Sequence, residues 1–217
     1  IVESITAIPS GAEDQVYVAV KRTIDGATVR HIEFLKPIEF GNDVADAFFL
    51  DSGLTYDGSA TTTVSSLNHL EGETVSILAD GATHADKVVT DGKITLDRSA
   101  SKVHIGYNYT STIETLRLEA GADDGIAQGK IKRIHGVTAR FFNTVGAELG
   151  PDTNNLDRLP FRDSSMSMNQ AVPLFNGDKE IYFPSGYEND ARVIVRQSQP
   201  LPMTVLAIMR RSNTFDA

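Results

Sequence analysis

Two stretches of alternating sequence, separated by an Asp-Gly pair, determine the fold class of this chain. Val16–Thr23 reads VYVAVKRT, Thr28–Leu35 reads TVRHIEFL, and Asp25-Gly26 lies between them. Apolar and polar residues alternate in both stretches, which is typical of β-strands with one buried face. Asp-Gly suits a two-residue hairpin turn, because both turn positions need a positive φ that glycine adopts freely and aspartate tolerates. The sequence therefore predicts an antiparallel hairpin at this place.

The same pattern recurs further along the chain. Thr74–Ala79 runs into Asp80-Gly81, and Lys87–Thr90 and Lys93–Leu96 flank Asp91-Gly92. More stretches rich in β-branched and aromatic residues follow, namely Lys102–Thr110, Val137–Thr144, Lys179–Phe183, Ala191–Gln197 and Met203–Arg210. About nine short strands at such spacing favour an all-β chain built from sandwiches or barrels.

Helix is expected in two short places only. Asp43–Leu50 fits a short helix with Asn42 or Asp43 as its N-cap, and Gly129–His135 fits one or two helical turns. Gly150–Gln170 is polar and shows neither the two-residue period of a strand nor the 3.6-residue period of a helix. We therefore predict a long loop of the kind that is often functional.

The order of the strands suggests two domains. Residues 54–116 carry their own strands and turns, which predicts a small barrel-like domain. Residues 1–53 and 117–217 then form a larger, discontinuous sandwich-like domain around this insert. Two consecutive domains are the alternative. The chain begins at Ile1 instead of methionine, so we expect a processed product or a piece of a longer protein.

Composition excludes several classes of function. The net charge of −9 argues against a nucleic-acid-binding surface, because affinity for phosphates needs clustered lysine and arginine. With no cysteine, the chain has neither disulfides nor a thiolate metal site. No apolar run approaches the roughly 18 residues that would span a membrane. A charged fraction of 23% and a mean hydropathy of −0.17 predict little apolar surface for a permanent interface.

Motifs for catalysis or cofactor binding are missing, so we expect a protein that is not an enzyme and has no cofactor. The five histidines lack close metal-ligand spacing. The nearest serine turn to G-x-S-x-G is Phe183–Tyr187 (FPSGY), which lacks the first glycine, and neither Gly-rich phosphate loop occurs.

We interpret three clusters of charged residues as structural features and not as functional sites. The carboxylates Glu119, Asp123 and Asp124 have the glycine and alanine neighbours of a solvated loop. Asp152, Asn154 and Asp157 only loosely resemble a calcium loop, since its glycine and distal glutamate are missing. In Lys130–His135 (KIKRIH) we favour a solvated strand edge that deters aggregation over a partner-binding patch.

Several strand-and-turn segments together carry a resemblance to a known family. They are Phe49–Gly58 (FLDSGLTYDG), Leu67–Val75 (LNHLEGETV), Leu78–Gly81 (LADG), Gly92–Leu96 (GKITL), Ala100–Gly106 (ASKVHIG), Phe183–Tyr187 (FPSGY) and Arg196–Leu206 (RQSQPLPMTVL). The chain resembles the C-terminal part of large tail proteins of tailed bacteriophages, of the kind that form the nozzle or distal tube. The similarity runs over nearly the whole chain and is densest from Phe49 to Tyr109.

The resemblance implies a structural virion component of a phage tail that assembles into a ring, often six-fold in the full-length parent, and contacts other tail proteins. DNA would pass through such a ring without specific binding. No catalytic residue carries over from the family. The alternative is a carbohydrate- or receptor-binding module at a tail tip.

Candidate contact residues follow from both hypotheses. On the alternative, four tyrosines could stack on sugar rings, namely Tyr107, Tyr109, Tyr182 and Tyr187. In an assembled particle, the predicted loop could be ordered through its few apolar anchors, Phe161, Met166 and Met168.

Overall fold

The chain is almost entirely β-structure. The computed structural model describes residues 1–11, 13–119, 121–122, 125–168, 170–183 and 186–215. Strands make up 61% of the chain and helix 3%, so the predicted all-β class is confirmed. The candidate carboxylates Asp123 and Asp124 lie outside the described residues, as do Pro184 and Ser185 of the serine turn.

The chain consists of two compact units. Unit 1 comprises Ile1–Asn108 with Asn169–Ala171, and unit 2 comprises Tyr109–Met168 with Val172–Ala217. The domain boundaries predicted from the sequence differ from these, at residues 53/54 and 116/117. Whether those boundaries separate domains that fold independently stays a prediction.

The described residues of unit 1 form seven strands in two antiparallel sheets, with orders β1-β2-β3 and β4-β7-β5-β6. The strands are β1 (Val2–Ser10), β2 (Glu13–Ile24), β3 (Ala27–Phe34), β4 (Asp51–Val64), β5 (Thr74–Ala79), β6 (Ala82–Val88) and β7 (Ile94–Tyr107). Two 3₁₀ turns, Val44–Asp46 and Asn68–Leu70, complete the unit.

Asp-Gly turns set the register of the hairpins in unit 1. Asp25 and Gly26 have φ values of 46° and 73° and join β2 to β3, as predicted from the sequence. Asp80 and Gly81 join β5 to β6 with similar φ values of 49° and 72°. Both turn residues adopt the left-handed backbone conformation. The twist of the turn therefore matches the twist of the strands, and this fixes which residues are paired.

The core of unit 1 lies on one face of the four-stranded sheet. Twelve buried residues form it: Val64, Leu67, Leu70, Val75, Ile77, Ala79, Val89, Ile94, Leu96, Ala100, Val103 and Ile105. β4 and β7 are each 14 residues long and their register shifts several times, which lets the sheet curve over this core. None of the sheets in the described part of the chain closes into a barrel, so the barrel-like domain predicted for residues 54–116 is an open, curved sheet.

Unit 2 contains two larger sheets, with orders β14-β11-β16 and β13-β12-β15-β8, and the two-stranded pair β10-β9. Its strands are β8 (Ser111–Glu114), β9 (Gly121–Ala122), β10 (Gly125–Ile126), β11 (Ile131–Thr144), β12 (Glu148–Asp152), β13 (Asn155–Arg158), β14 (Phe175–Tyr182), β15 (Ile194–Gln197) and β16 (Thr204–Phe215).

The two larger sheets of unit 2 face each other across one core. From β11 come Ile134, Val137, Ala139 and Phe141, and the facing sheet adds residues such as Leu149 and Val195. Apolar residues from two sheets thus share one buried cluster, which is the arrangement of a β-sandwich.

Three sequence-based expectations need correction. Gly129–His135 is not helical, because Ile131 onward forms β11, whose alternate residues enter the core. The predicted long loop Gly150–Gln170 begins with the hairpin of β12 and β13. The helix expected at Asp43–Leu50 is only the 3₁₀ turn Val44–Asp46, although the Asp43 carboxylate does cap it by accepting from the Ala45 N–H.

Two glycines in equivalent turns give a matched stability test. A Cβ at Gly81 would lie 2.9 Å from the Ala45 nitrogen and 3.0 Å from the Ala171 Cβ, whereas a Cβ at Gly26 meets nothing within 4 Å. We expect Gly26→Ala to cost about 1 kcal/mol of unfolding free energy from the left-handed backbone alone. Gly81→Ala adds steric overlap and should cost about 3 kcal/mol. Urea denaturation measures both, and equal losses would contradict this account of Gly81.

Candidate functional site

The clearest unusual surface in unit 1 is the N-terminal sheet. Eight of the twenty exposed large apolar side chains among the described residues lie in the first 38 residues. They are Ile1, Val2, Ile5, Ile8, Ile32, Phe34, Leu35 and Ile38. The composition predicted little apolar surface, but an average over the chain cannot show such a concentration.

One face of this sheet packs against the rest of unit 1, and the other face does not. Val18 and Val20 on β2 are buried, and their cross-strand neighbours on β3, Glu33 and His31, point to the same face. The opposite face carries Ile32 and Phe34, which are 82% and 49% exposed. A sheet face of this kind is typical of a surface that another chain covers.

Polar contacts hold the inner face in place. Glu33 receives a bidentate pair from the Arg22 guanidinium at 3.0 and 3.1 Å and a bond from the Ser52 hydroxyl at 2.5 Å. Although partial burial opposes it, these donors keep the pKa of the Glu33 carboxyl below its usual value. The edge of the His31 ring also packs against His69, with centroids 6.2 Å apart.

β1 forms the outer edge of this sheet. In the described part of the chain it pairs with β2 alone, and all nine of its residues are exposed. No charged side chain follows Glu3 within the strand, so the usual protection of an edge by charge is missing. The strand carries only a register shift near Val2 and a proline, Pro9, as protection.

β16 is a second unprotected edge, at the border of a sheet in unit 2. It is hydrogen-bonded to β11 alone among the described strands and is 12 residues long. Its first six residues, Thr204–Met209, are uncharged, and Leu206 and Met209 are 60% and 44% exposed. The border strand on the other side, β14, carries Asp178, Lys179 and Glu180 and is protected by them.

The structure places the four candidate tyrosines in different surroundings. Tyr107, in unit 1, is half-buried beneath the Arg22 guanidinium, which lies 5.6 Å from its ring centroid. Burial and the Glu73 carboxylate raise the pKa of the Tyr107 hydroxyl to about 12. Its ring is therefore part of the packing of unit 1 and is no open platform for a sugar.

The other three tyrosines belong to unit 2. Tyr109 is 41% exposed. Tyr182 is exposed on β14, whereas Tyr187 packs edge-on against Phe215, with ring centroids 5.3 Å apart, and lies under Arg133. Of the four rings, Tyr182 presents the most open face for stacking.

The predicted anchors of the long loop also differ from each other. Phe161 is half-buried, and its ring lies edge-on to Phe141 and Phe175, each 5.8 Å away between centroids. The Lys179 ammonium lies above Phe161 and donates to the Pro160 carbonyl. Phe161 is thus part of the sandwich packing, Met166 is half-buried, and Met168 is exposed.

The basic segment Lys130–His135 is not a solvated edge. β11 is the central strand of its sheet, and the Lys132 side chain is 1% exposed. Its ammonium donates to the Asn189 carbonyl at 2.9 Å and lies 4.0 Å from a Glu119 carboxylate oxygen. The sequence predicted a solvated edge because it could not show that this strand lies at the centre of a sheet.

No group of three or more histidines, aspartates and glutamates within the described ranges could hold a metal ion. The Asp152 carboxylate accepts from the Asn155 side-chain amide at 2.7 Å and from the Asn154 and Asn155 backbone N–H groups at 2.8 and 3.1 Å, and these bonds lower its pKa. Asp152 therefore stabilises the turn between β12 and β13. Among the described residues, no helix has the length and apolar character to cross a membrane.

His104 is the buried centre of a hydrogen-bond chain. Its Nε2 donates to the Ala45 carbonyl at 2.9 Å, because a carbonyl can only accept. Nδ1 must then accept from the Thr55 hydroxyl at 2.9 Å, and Thr55 in turn accepts from the Lys36 ammonium at 3.2 Å. Burial, which outweighs the Ala45 contact, lowers the pKa of His104, so the neutral ring is the folded form.

Neither the known protein families nor the curated proteins include a match to this chain.

The buried His104 gives a pH-dependent contribution to stability. Since its pKa is lower in the folded state, the unfolded chain binds more protons as the pH falls through about 6.5. We expect this contribution to be complete above that pH and to be lost progressively below it. In His104→Gln, which keeps a donor and an acceptor, the slope of unfolding free energy against pH between about 5 and 7 should be smaller. Urea denaturation at several pH values measures it, and an unchanged slope would show that His104 is not the group.

Proposed function

We propose that this chain is a non-catalytic, structural component of a bacteriophage tail, in the class of nozzle or tube-like proteins. It belongs to the virion, associates with further copies of itself in a ring, contacts other tail proteins, and leaves the DNA free to move past it. The observation that carries the proposal is the pair of unprotected apolar strand edges, β1 and β16, on an otherwise charged chain.

Unprotected edges are consistent with a subunit of a larger assembly. Edge strands with free N–H and C=O groups pair with other chains, and monomeric proteins usually block them with charge. A chain that is built into a particle has its edges covered there. The family resemblance from the sequence points to the tail as that particle.

The charge supports the part of the proposal that concerns DNA. At a net charge of −9, phosphates are repelled overall, so DNA can slide past without being held. Many basic side chains are already paired with acids at the surface, including Arg140 with Asp178 and Arg192 with Glu114. These pairs leave less free positive charge for a phosphate backbone.

Location in the virion tests the proposal directly. Antibodies raised against this chain should label the tails of intact virions of the phage that encodes it, as seen by immunogold electron microscopy. Labelling should be confined to one end of the tail, because a nozzle or distal tube occupies one position. Virions that lack the chain, shown by mass spectrometry of purified particles, would contradict the proposal.

A carbohydrate-binding module at a tail tip is the second candidate, and the exposed ring of Tyr182 favours it. If it is correct, a glycan array should show binding that Tyr182→Ala reduces by at least about tenfold, which corresponds to the loss of one stacking contact. Tyr107→Phe is the matched control, because that ring packs inside unit 1 and should leave binding unchanged. Absence of any bound glycan would remove this candidate.

A further inference from the structure

We propose that β1 of one copy pairs edge to edge and antiparallel with β16 of a second copy. This inference rests on the self-association in the proposed function, and it adds which two strands make the contact. The pairing joins two different chains, so it does not depend on how the two units of one chain are arranged.

Length, charge and exposed apolar side chains favour these two edges among the border strands of the larger described sheets. β3 and β6 carry charged residues within the strand, and β4 exposes no large apolar side chain. β8 and β13 have four residues each, which is too short for a ladder of any extent. β14 carries three consecutive charges. β1 from Ser4 and β16 up to Met209 are both uncharged and carry exposed apolar side chains. Pairing them satisfies backbone groups on both sides and removes apolar surface from water.

Charge at the strand ends sets the direction of pairing. Glu3 precedes the uncharged part of β1, and Arg210 and Arg211 follow the uncharged part of β16. Only the antiparallel arrangement brings the acid next to the two arginines. Glu3 already pairs with Arg30, and the Arg210 guanidinium donates to the Thr115 hydroxyl and the Leu116 carbonyl of its own chain, so the new contact adds an ion pair between two side chains that are already held in place.

The same charges define a register. With Glu3 opposite Arg210, Ser4 faces Met209, Ile5 faces Ile208, and Thr6 faces Ala207. Ile208 packs against the core of unit 2, and Ile5 is 67% exposed, so Ile5 extends the apolar face beside it. Ser4 and Met209 are both exposed and lie directly opposite each other.

A contact between two different edges has a consequence for symmetry. Each copy has one β1 and one β16, so the contact is head-to-tail and leaves one edge of each kind free in a dimer. Further copies then add until the circle closes or the chain of copies grows. A two-fold contact of β1 with β1 would stop at a dimer.

Blocking variants test the strands. Ile5→Lys and Met209→Lys place a charge on an exposed edge position, and Ile38→Lys and Leu116→Lys are controls at apolar positions that are 80% and 86% exposed and outside all strands. In sedimentation velocity, the wild-type chain should associate at about 10–100 μM, as expected for a small interface. Each blocking variant should weaken association at least about tenfold, and the controls should match the wild type.

Mixing the two blocking variants makes the test specific. Ile5→Lys keeps an intact β16, and Met209→Lys keeps an intact β1, so the mixture should form a dimer and nothing larger.

If Met209→Lys alone associates like the wild type, β16 is not involved and the inference is wrong. Association that persists in both variants would overturn the inference but keep the proposed self-association, whereas a wild-type chain that stays monomeric at about 500 μM would contradict both.

Disulfide trapping tests the register, because the chain contains no cysteine of its own. Directly opposite residues have Cα atoms about 4.5–5.5 Å apart, which is within the range for a disulfide. Under mild oxidation, Ser4→Cys mixed with Met209→Cys should give a covalent dimer on a non-reducing gel. Thr28→Cys mixed with Met209→Cys is the control and should not. A covalent dimer of Ser4→Cys alone in equal yield would favour pairing of β1 with β1 and overturn the inference.

Discussion

The left-handed backbone of the Asp-Gly turns is the constraint on which unit 1 depends. A slip of one residue in a hairpin moves every side chain to the other face of the sheet. The turn at Asp25-Gly26 places Val18 and Val20 on the inner face, where they are buried, and it places Ile32 and Phe34 outside. The turn at Asp80-Gly81 pairs Ala79 with Ala82 and Ile77 with His84, and Ile77 and Ala79 lie in the core of the curved sheet. The Asp25-Gly26 turn therefore sets which side chains of the N-terminal sheet are buried and which are exposed.

In unit 2 the corresponding role belongs to one long strand. β11 pairs with β14 on one side and with β16 on the other, and its inward residues supply the centre of the sandwich. A polar group on such a strand needs its own partner when it is buried. The Lys132 ammonium donates to the Asn189 carbonyl. In unit 1 the buried His104 ring makes two hydrogen bonds in the same way. Both groups stabilise the fold.

The exposed strand edges give this protein its main functional signal. Chemistry is carried by side chains that converge, and the polar clusters described here mostly have partners that hold sheets and turns together. Backbone groups at a strand edge offer hydrogen bonds along a line, which suits another strand better than a small molecule. That preference is the physical reason for proposing that the chain is part of an assembly.

The all-β class, the hairpins at Asp25-Gly26 and Asp80-Gly81, and the Asp43 cap were determined by the sequence itself, because turn chemistry and alternation act over a few residues. β1 and β4 were not predicted, since VESITAIPS and DSGLTYDGSATTTV lack a clean alternation. Only the tertiary structure could decide that β11 is a central strand and that Lys132 is buried. The environments of Tyr107, Phe161 and Tyr182 also came from the tertiary structure. Each of these depends on which face of a sheet meets another sheet, and that is set by residues far apart in the chain.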